Sequence, residues 1–295
     1  LGAAARHFLG FLKRSDMSLW QMLPIGPVGF GGSPYQSTSS FAGNPLLISP
    51  EGLVAEGWLT EDEMPSVANK DPERIQFERV MSQRGEMLRK AGERFQSDRT
   101  AERQVPFHEF RAHNASWLDD FALFVALKDE FGEAMWTEWE PALVKREPGA
   151  LQHWSQKLAA EIERVQFVQW QFDRQWRALR DAAHPNGLKL VGDLPVFVAQ
   201  DSADVWANQE LFELDDAGRP TVVAGVPPDY FSATVQLWGN PLYRWARHEA
   251  ENFHWWTGRL ARILQLFDIV RIDHFRGFEA HWEIPADAPD ASHGR

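Results

Sequence analysis

Short apolar runs that end in an acidic residue recur in the chain from residue 188 onward. One extends from Leu188 to Asp193 and another from Phe267 to Asp273. Between them, apolar residues from Arg259 to Phe267 recur at intervals of three and four, which is typical of a helix. The order of strand, long loop, helix and strand predicts parallel strands joined by helical crossovers. Two acidic side chains would then lie at strand ends, where (β/α)8 barrels gather their catalytic groups.

The preceding residues show two other patterns. The run from Leu19 to Pro24 predicts a strand, and a loop rich in Gly, Pro and Ser follows it up to Asn44-Pro45. From 51 to about 182, apolar residues spaced by three and four among charged ones predict a mainly helical segment, broken at Val67 to Asp71. Its large apolar side chains are predicted to be packing residues, namely Trp117, Phe121, Phe124 and Trp170.

A hairpin is predicted between the two acidic strands. The runs from Leu211 to Leu214 and from Thr221 to Val223 flank the polar segment from Asp215 to Pro220. The Asp215-Asp216 pair is interpreted as turn chemistry rather than as a metal site.

Composition narrows the class of protein. The chain has 295 residues, of which 44% are hydrophobic and 24% charged, as in a soluble globular protein with one barrel-sized domain. No apolar run is long enough for a membrane helix and residues 1–15 lack a signal-peptide profile, so we expect a cytoplasmic protein without a membrane partner. The net charge of −12 argues against a nucleic-acid partner and favours a neutral substrate. Some of the 14 tryptophans could stack on sugar rings, although most should be core.

Arg271 and Asp273 are the first candidate catalytic pair. Because side chains alternate along a strand, both should project from the same face. A neighbouring guanidinium favours the ionised carboxylate, which suits a nucleophile rather than a proton donor. The alternative is a structural ion pair at a strand end.

Other motifs that suggest chemistry are incomplete. The glycine-rich stretch from Gly26 to Gly32 lacks the Gly-Lys-Ser/Thr ending of a phosphate-binding loop. His248-Glu249 resembles the start of a zinc-binding helix, but the position four after His248 is Asn252. No Gly-x-Ser-x-Gly elbow of a serine hydrolase occurs.

Several longer motifs carry a family resemblance. They are Trp20 to Pro27, Ser33 to Ser37, Phe41 to Leu46, Gly192 to Val198, Gly225 to Ser232, Trp238 to Pro241 and Val270 to Phe278. In this order they closely resemble the signatures of the 4-α-glucanotransferases, also called amylomaltases or disproportionating enzymes of glycoside hydrolase family 77. The resemblance extends from about Leu19 to Pro285.

The resemblance implies an α/β fold. The expected architecture is a (β/α)8 TIM barrel of the α-amylase type, incomplete here, in which residues 1–295 form part of the catalytic barrel and about 51–182 form a helical insertion. The implied reaction transfers α-1,4-glucan segments to an acceptor glucan or glucose, with malto-oligosaccharides or amylose as partners and no metal or organic cofactor.

The resemblance also implies roles for residues. Asp273 matches the nucleophile of a retaining double displacement. Arg271 matches the residue that keeps that carboxylate charged. The implied substrate-binding residues are Ser33, Tyr35, Asp193, Tyr230, Phe231, Trp238, Asn240 and His274. Of these, Tyr35 resembles a platform for the sugar at the cleavage point, and Tyr230, Phe231 and Trp238 lie in what resembles the acceptor-side loop, although packing is the alternative for Tyr230 and Trp238.

The sequence departs from the family pattern in two respects. It contains neither the Ala-Glu-Asp-Leu-Gly motif of the general acid/base nor the Thr-His-Asp-Asn motif of the second aspartate, and Glu279 and Glu283 follow Asp273 too closely to replace that acid. We therefore expect a central fragment that is inactive and poorly stable by itself. Val235 replaces a usual glycine, which would strain or reshape the acceptor loop if that position needs a positive φ.

Two other functions remain open at this stage. An α-amylase-like hydrolase would increase the number of reducing ends, whereas transfer conserves it. A non-catalytic α-glucan-binding piece would bind malto-oligosaccharides without turnover.

Overall fold

The computed structural model describes residues 1–65, 74–227 and 236–295 of the chain. Within these ranges the helices are α1 (Ala3–Arg14), α2 (Pro50–Ala55), α3 (Phe77–Ser97), α4 (Ala101–Glu130), α5 (Pro141–Val144), α6 (Pro148–Lys157), α7 (Ala159–Ala183), α8 (Ala203–Ala207), α9 (Trp245–Ala250) and α10 (His254–Leu266). The strands are β1 (Leu19–Gln21), β2 (Lys189–Pro195), β3 (Val222–Val226), β4 (Gln236–Pro241), β5 (Ile269–Asp273) and β6 (Trp282–Pro285).

A parallel sheet has the order β1-β2-β5. Strand β2 is central, and its backbone pairs Leu190 with Trp20 on one side and Pro195 with Asp273 on the other. The predicted parallel arrangement with a helix before β5 is therefore confirmed. Helix α10 lies directly before β5 in the chain, in that crossover position. Because the strands are parallel, all three begin at the same end of the sheet.

Glycine at position 192 allows α10 and the sheet to pack closely. A Cβ atom on Gly192 would lie 2.4 Å from Cδ2 of Phe267, the buried residue that links α10 to β5. A larger residue in the middle of β2 would push this aromatic ring away, because cores packed to crystal density have no room for an added carbon.

The segment from 51 to 182 is mainly helical, as predicted, in its described part. Helices α3, α4 and α7 pack around interlocking aromatic rings, with Phe95 4.6 Å from Phe167 and 4.7 Å from Phe107 between ring centroids. Phe121, Phe124 and Trp170 are buried, and Trp117 packs against the same core, which confirms their prediction as packing residues. The break predicted at Val67 to Asp71 lies outside the described residues.

The helical segment and the parallel sheet share one hydrophobic core. Trp176 on α7 packs edge-on against Phe267 at 5.2 Å between ring centroids, and its indole N–H donates to the carbonyl of Leu266 at 2.8 Å. This contact links helix α7 to the residues that connect α10 with β5.

The hairpin predicted at 211–223 is confirmed as a short antiparallel pairing, in which Leu214 pairs with Pro220 and the backbone N–H of Thr221 donates to the carbonyl of Glu213 at 2.9 Å. The turn exists, since Asp215 Oδ1 accepts from the backbone N–H groups of Ala217 and Arg219, as its interpretation as turn chemistry required. However, Val222 belongs to β3, which pairs antiparallel with β4 and β6 in a second sheet of order β4-β3-β6. The hairpin pairing thus ends near Thr221, and the ladder of β3 that follows takes its partners from later in the chain.

No helix in the described ranges is long and apolar enough to cross a membrane.

Candidate active site

Three segments converge at the carboxyl ends of the parallel strands. Strand β2 brings Asp193, strand β5 brings Arg271 and Asp273, and the loop after β1 brings Tyr35. Because parallel strands all end at the same edge of a sheet, side chains separated by more than 150 residues meet here.

A continuous hydrogen-bond network joins these residues. Tyr35 donates its phenolic O–H to Asp193 Oδ2 at 2.7 Å. Arg271 donates through Nη1 to Asp193 Oδ1 and through Nη2 to Asp273 Oδ1, both at 2.6 Å. Arg271 and Asp273 thus lie on the same face of β5, as the strand period predicts.

Burial differs between the two carboxylates. The Asp193 side chain is 2% exposed and has partners on both oxygens, whereas that of Asp273 is 35% exposed. The network raises the pKa of Arg271, first through its bond to Asp193 and then through Asp273, so the guanidinium stays charged. Asp273 is therefore the accessible carboxylate of the network, and a permanent cation adjoins it.

Tyr35 is held in its protonated form. Burial raises the pKa of its phenol to about 12, and the hydrogen bond to the Asp193 carboxylate adds to the increase. A phenol that donates to a buried carboxylate fixes the ring plane, since the donor direction of the O–H group is tied to the ring.

A cavity of about 420 Å³ opens beside this network. It is lined by Ser33, Tyr35, Gln36, Pro195, Val196, Phe197, Leu237, Trp238, Asn240, Asp273 and His274. Its volume and its mixture of aromatic faces and polar groups are those of a site for a small organic ligand.

Aromatic rings form one wall of the cavity. The Trp238 indole meets the His274 ring edge-on at 5.1 Å between centroids, and Phe197 lies 6.3 Å from both rings. His274 follows β5 in a left-handed conformation with φ of 52°, which turns the chain sharply after Asp273. Burial lowers the pKa of His274, and the Asp273 carboxylate offsets this decrease in part.

Two predicted residues line the cavity but also have structural contacts. Ser33 Oγ accepts from the backbone N–H of Tyr35 at 3.3 Å. Asn240 is 5% exposed, and its Nδ2 donates to the carbonyl of Val198 at 2.8 Å. The amide of Asn240 therefore supports the cavity wall.

Gln36 and Phe197 also line the cavity, although they are not among the predicted site residues. Gln36 Nε2 lies 3.5 Å from both the Trp238 carbonyl and Asn240 Oδ1, at the outer limit for hydrogen bonds. Gln36 stands within the motif from Ser33 to Ser37, which was its available signal. Phe197 likewise stands within the motif from Gly192 to Val198, but its run of apolar residues does not indicate which side chain faces a cavity.

The other predicted positions lie outside the described residues. These are Tyr230, Phe231 and Val235, the last being the departure from the family pattern. Within residues 1–65, 74–227 and 236–295, no cluster of three or more His, Asp or Glu residues is arranged to hold a metal ion.

The sequence matches a known protein family. The model of the family described as 4-alpha-glucanotransferase matches residues 1–295. The chain belongs to the 4-alpha-glucanotransferase family. The resemblance inferred from the motifs is thereby confirmed.

Relatives of the chain carry the same description. A 4-alpha-glucanotransferase of Thermus thermophilus is 49% identical over 100% of this chain and 58% of its own length. One from a Synechocystis strain is 43% identical over 100% of this chain and again 58% of its own length. The chain thus spans less than two thirds of the length of these relatives.

A solved structure supports the fold. The amylomaltase from Streptococcus agalactiae in complex with acarbose superposes with a TM-score of 0.94 at 38% identity. The match covers 100% of this chain and 59% of the amylomaltase. The chain therefore has a mixed α/β fold similar to that of an amylomaltase.

Proposed function

We propose that the protein containing this chain is a 4-α-glucanotransferase. It moves an α-1,4-linked glucan segment from a donor chain to the 4-hydroxyl of an acceptor glucan or glucose, by a retaining double displacement. The observation that carries the proposal is the network of Tyr35, Asp193, Arg271 and Asp273 at the edge of an aromatic-walled cavity.

Asp273 is the proposed nucleophile. Arg271 donates to Oδ1, so we assign the attack on the anomeric carbon to Oδ2. The Arg271 guanidinium orients this carboxylate for the attack, and the same cation stabilises it as the leaving group when the glycosyl intermediate breaks down. Arg271 is thus assigned to both half-reactions.

Asp193, Tyr35 and His274 are proposed to grip the sugar at the cleavage point. Tyr35 and His274 line the cavity directly, whereas Asp193 is 2% exposed and is bound through both oxygens, so its proposed part is to hold Tyr35 and Arg271 in place. Ser33 and Asn240 line the same cavity and are proposed to contact the substrate as well.

Trp238, Tyr230 and Phe231 are proposed to cover the acceptor side. Transfer requires that an acceptor hydroxyl reaches the intermediate before water does, and apolar aromatic surface excludes water. The indole of Trp238, adjoining His274, supports this role, and it favours transfer over the hydrolase alternative.

A retaining mechanism needs a second carboxyl, which protonates the leaving oxygen from about 5 to 5.5 Å away. The family motif for this acid is not in the sequence, and Glu283 forms an ion pair with Arg295 at 2.7 Å. We propose that a part of the whole protein outside these 295 residues supplies the acid.

We propose further that residues 1–295 are one part of a (β/α)8 barrel, with the helical segment at about 51–182 as an insertion. The parallel order β1-β2-β5 and the gathering of candidate groups at the strand ends support this architecture. A cytoplasmic location stays a prediction, which cell fractionation tests.

The test uses a hybrid protein, in which this chain replaces the matching segment of the Thermus thermophilus relative. Incubation with maltotriose should yield glucose and a ladder of longer oligosaccharides, with the number of reducing ends conserved. Asp273→Asn in the hybrid protein should abolish the ladder, since the amide cannot form the glycosyl ester.

Each alternative predicts another result. New reducing ends in proportion to substrate loss would identify a hydrolase. Binding of acarbose by a folded hybrid protein without turnover would support the non-catalytic alternative. The 295-residue chain by itself should give no ladder, and a ladder from it would contradict the assignment of the acid to another part of the protein.

A further inference from the structure

One wall of the active-site cavity is backbone that has left the sheet. Strand β2 ends at Pro195, which pairs with Asp273, and the next residues, Val196 and Phe197, line the cavity. Beyond the strand end, backbone carbonyls lose their ladder partners and must find other donors. Buried side chains from elsewhere in the chain supply them.

Arg259 on α10 supplies most of these bonds. Its Nη1 donates to the carbonyl of Val196 at 3.2 Å, and its Nη2 donates to the carbonyl of Pro195. Tyr243 donates its O–H to the same Val196 carbonyl at 2.7 Å. A planar guanidinium can engage two neighbouring carbonyls at once, so it fixes both the position and the direction of this backbone.

Arg259 does not contact the cavity itself. It is 1% exposed, it is not among the described residues that line the cavity, and it packs 4.8 Å from the ring centroid of Trp256. Asp204, fully buried, attracts it electrostatically. Burying charges is expensive, and replacing a whole buried ion pair by apolar residues of similar volume often gives equal or greater stability, although removing only one partner is destabilising. Stability alone is therefore a weak reason for arginine at this position.

We propose that Arg259 is a positioning residue for the transfer reaction, which acts by holding Pro195 and Val196 against Asp273. The proposal rests on the proposed function. If the wall shifts, the Phe197 ring and its neighbours Trp238 and His274 shift relative to the nucleophile. A displacement of about 1 Å in a reacting geometry can lower a rate by about 100-fold.

Arg262 provides a matched control. It lies on the same helix, is 4% exposed, and likewise donates to a carbonyl, that of Phe41, at 3.0 Å. It also forms an ion pair with Asp173 at 3.2 Å. Replacing either arginine by methionine removes a buried cation from α10, but only Arg259→Met releases the wall at Pro195.

The experiment compares Arg259→Met, Arg259→Lys and Arg262→Met in the hybrid protein. Arg259→Met should lower kcat for maltotriose about 10- to 100-fold with little change in KM, because substrate contacts remain while the reacting groups are misplaced. Arg259→Lys should be intermediate, since an ammonium lacks the fork that reaches both carbonyls. Arg262→Met should lower Tm comparably and keep kcat within about twofold of the unsubstituted protein.

Crystal structures of the same variants test the position of the wall without relying on activity. Arg259→Met should displace Pro195 to Phe197 by about 1 Å relative to Asp273, whereas Arg262→Met should not. A superposable wall in Arg259→Met, or equal loss of kcat in both methionine variants, would overturn the proposal. If Arg259→Met does not fold, unchanged kcat and wall position in Arg259→Lys would overturn it. If the unsubstituted hybrid protein is inactive, the proposed function fails. The displacement of the wall in the crystal structures then decides whether Arg259 holds Pro195 and Val196 in place.

Discussion

At the scale of single residues, the site depends on protons held at defined positions. Arg271 stays a cation, Tyr35 stays a phenol and donates to Asp193, and Asp273 remains accessible. The types of these side chains and the strand period could be read from the sequence. The bond from Tyr35 to Asp193 could not, because it joins a loop to a strand 158 residues later.

The Tyr35 bond leads to a first prediction. In Asp193→Asn the charged acceptor is lost, so the pKa of Tyr35 should fall from about 12 but remain above 10, since burial is the larger cause of the increase. Comparing the pH titration of tyrosine absorbance with that of the same protein carrying Tyr35→Phe isolates this residue. In the hybrid protein, Tyr35→Phe should lower kcat/KM about 10-fold, as expected for a lost bond to a charged group. An unchanged titration in Asp193→Asn would contradict the network.

Asp204 gives a second prediction at this scale. Burial raises the pKa of its carboxyl to about 6, although the backbone N–H of Ser40 donates to it at 2.6 Å. Ionisation is harder in the folded than in the unfolded chain, so this group lowers the free energy of unfolding as pH rises from 4 to 7. Relative to the native chain, Asp204→Asn should gain up to about 3 kcal/mol over that interval.

Urea unfolding of Asp204→Asn and of the native chain at pH 4 and pH 7 shows whether the difference in their free energies of unfolding increases with pH. Asp215→Asn is the opposite control, because hydrogen bonds from Arg219 and Ala217 lower the pKa of Asp215, so its ionised form stabilises the fold. That variant should lose stability relative to the native chain as pH rises through the acid range below about 4, where the lowered pKa makes Asp215 ionise in the folded chain before it does in the unfolded chain, so its measurements extend to that range. The same sign in both variants would contradict the assignment for Asp204.

At the scale of elements, the helical segment holds the loop that carries Tyr35. Gln169 on α7 accepts from the N–H of Gly43 at 2.8 Å and donates to its carbonyl at 2.9 Å, as a neighbouring strand would. Helical spacing predicted α7, but glutamine in a helix normally indicates a solvated face. Gln169 is instead 1% exposed and pairs with a distant loop, and this placement is decided by how the tertiary structure packs.

This contact gives an element-scale prediction. A Cβ atom on Gly43 would lie 2.0 Å from Cδ1 of Phe172, so Gly43→Ala must separate the loop from α7 and should lower the free energy of unfolding by about 1–3 kcal/mol. Gly85→Ala is the control, since Gly85 lies inside α3 with no atom near an added Cβ. That change should add about 0.5–1 kcal/mol. Thermal unfolding of both variants measures the difference, and equal effects would argue against the close contact.

At the scale of the whole chain, apolar residues are exposed along the outer strands of the parallel sheet. Leu19 in β1 is 51% exposed, Ile269 in β5 is 39% exposed, and Leu264 on α10 is 53% exposed. Each outer strand pairs only with β2 in the described residues, so each presents unpaired backbone groups. Such edges favour association with other chains.

We therefore predict that the 295-residue chain binds a hydrophobic dye strongly and aggregates on heating. The hybrid protein should bind less dye and unfold at a higher temperature, because additional barrel strands would cover these edges. Dye fluorescence and thermal scans at matched concentration make the comparison. Ile269→Lys in the 295-residue chain should reduce its aggregation, since a charge on an edge strand opposes pairing with another edge. Equal dye binding by both proteins would contradict the proposed barrel.

The sequence by itself determined the family, the parallel strands that end in acidic residues, and the shared face of Arg271 and Asp273. Motif order and the periods of helix and strand are properties of neighbouring residues, so they can be read from the sequence. Tertiary structure alone decided that β3 pairs with β4 and β6, that Tyr35 donates to Asp193, and that Arg259 holds the end of β2. These contacts depend on which distant segments meet when the core is packed, and local patterns do not encode that choice of partner.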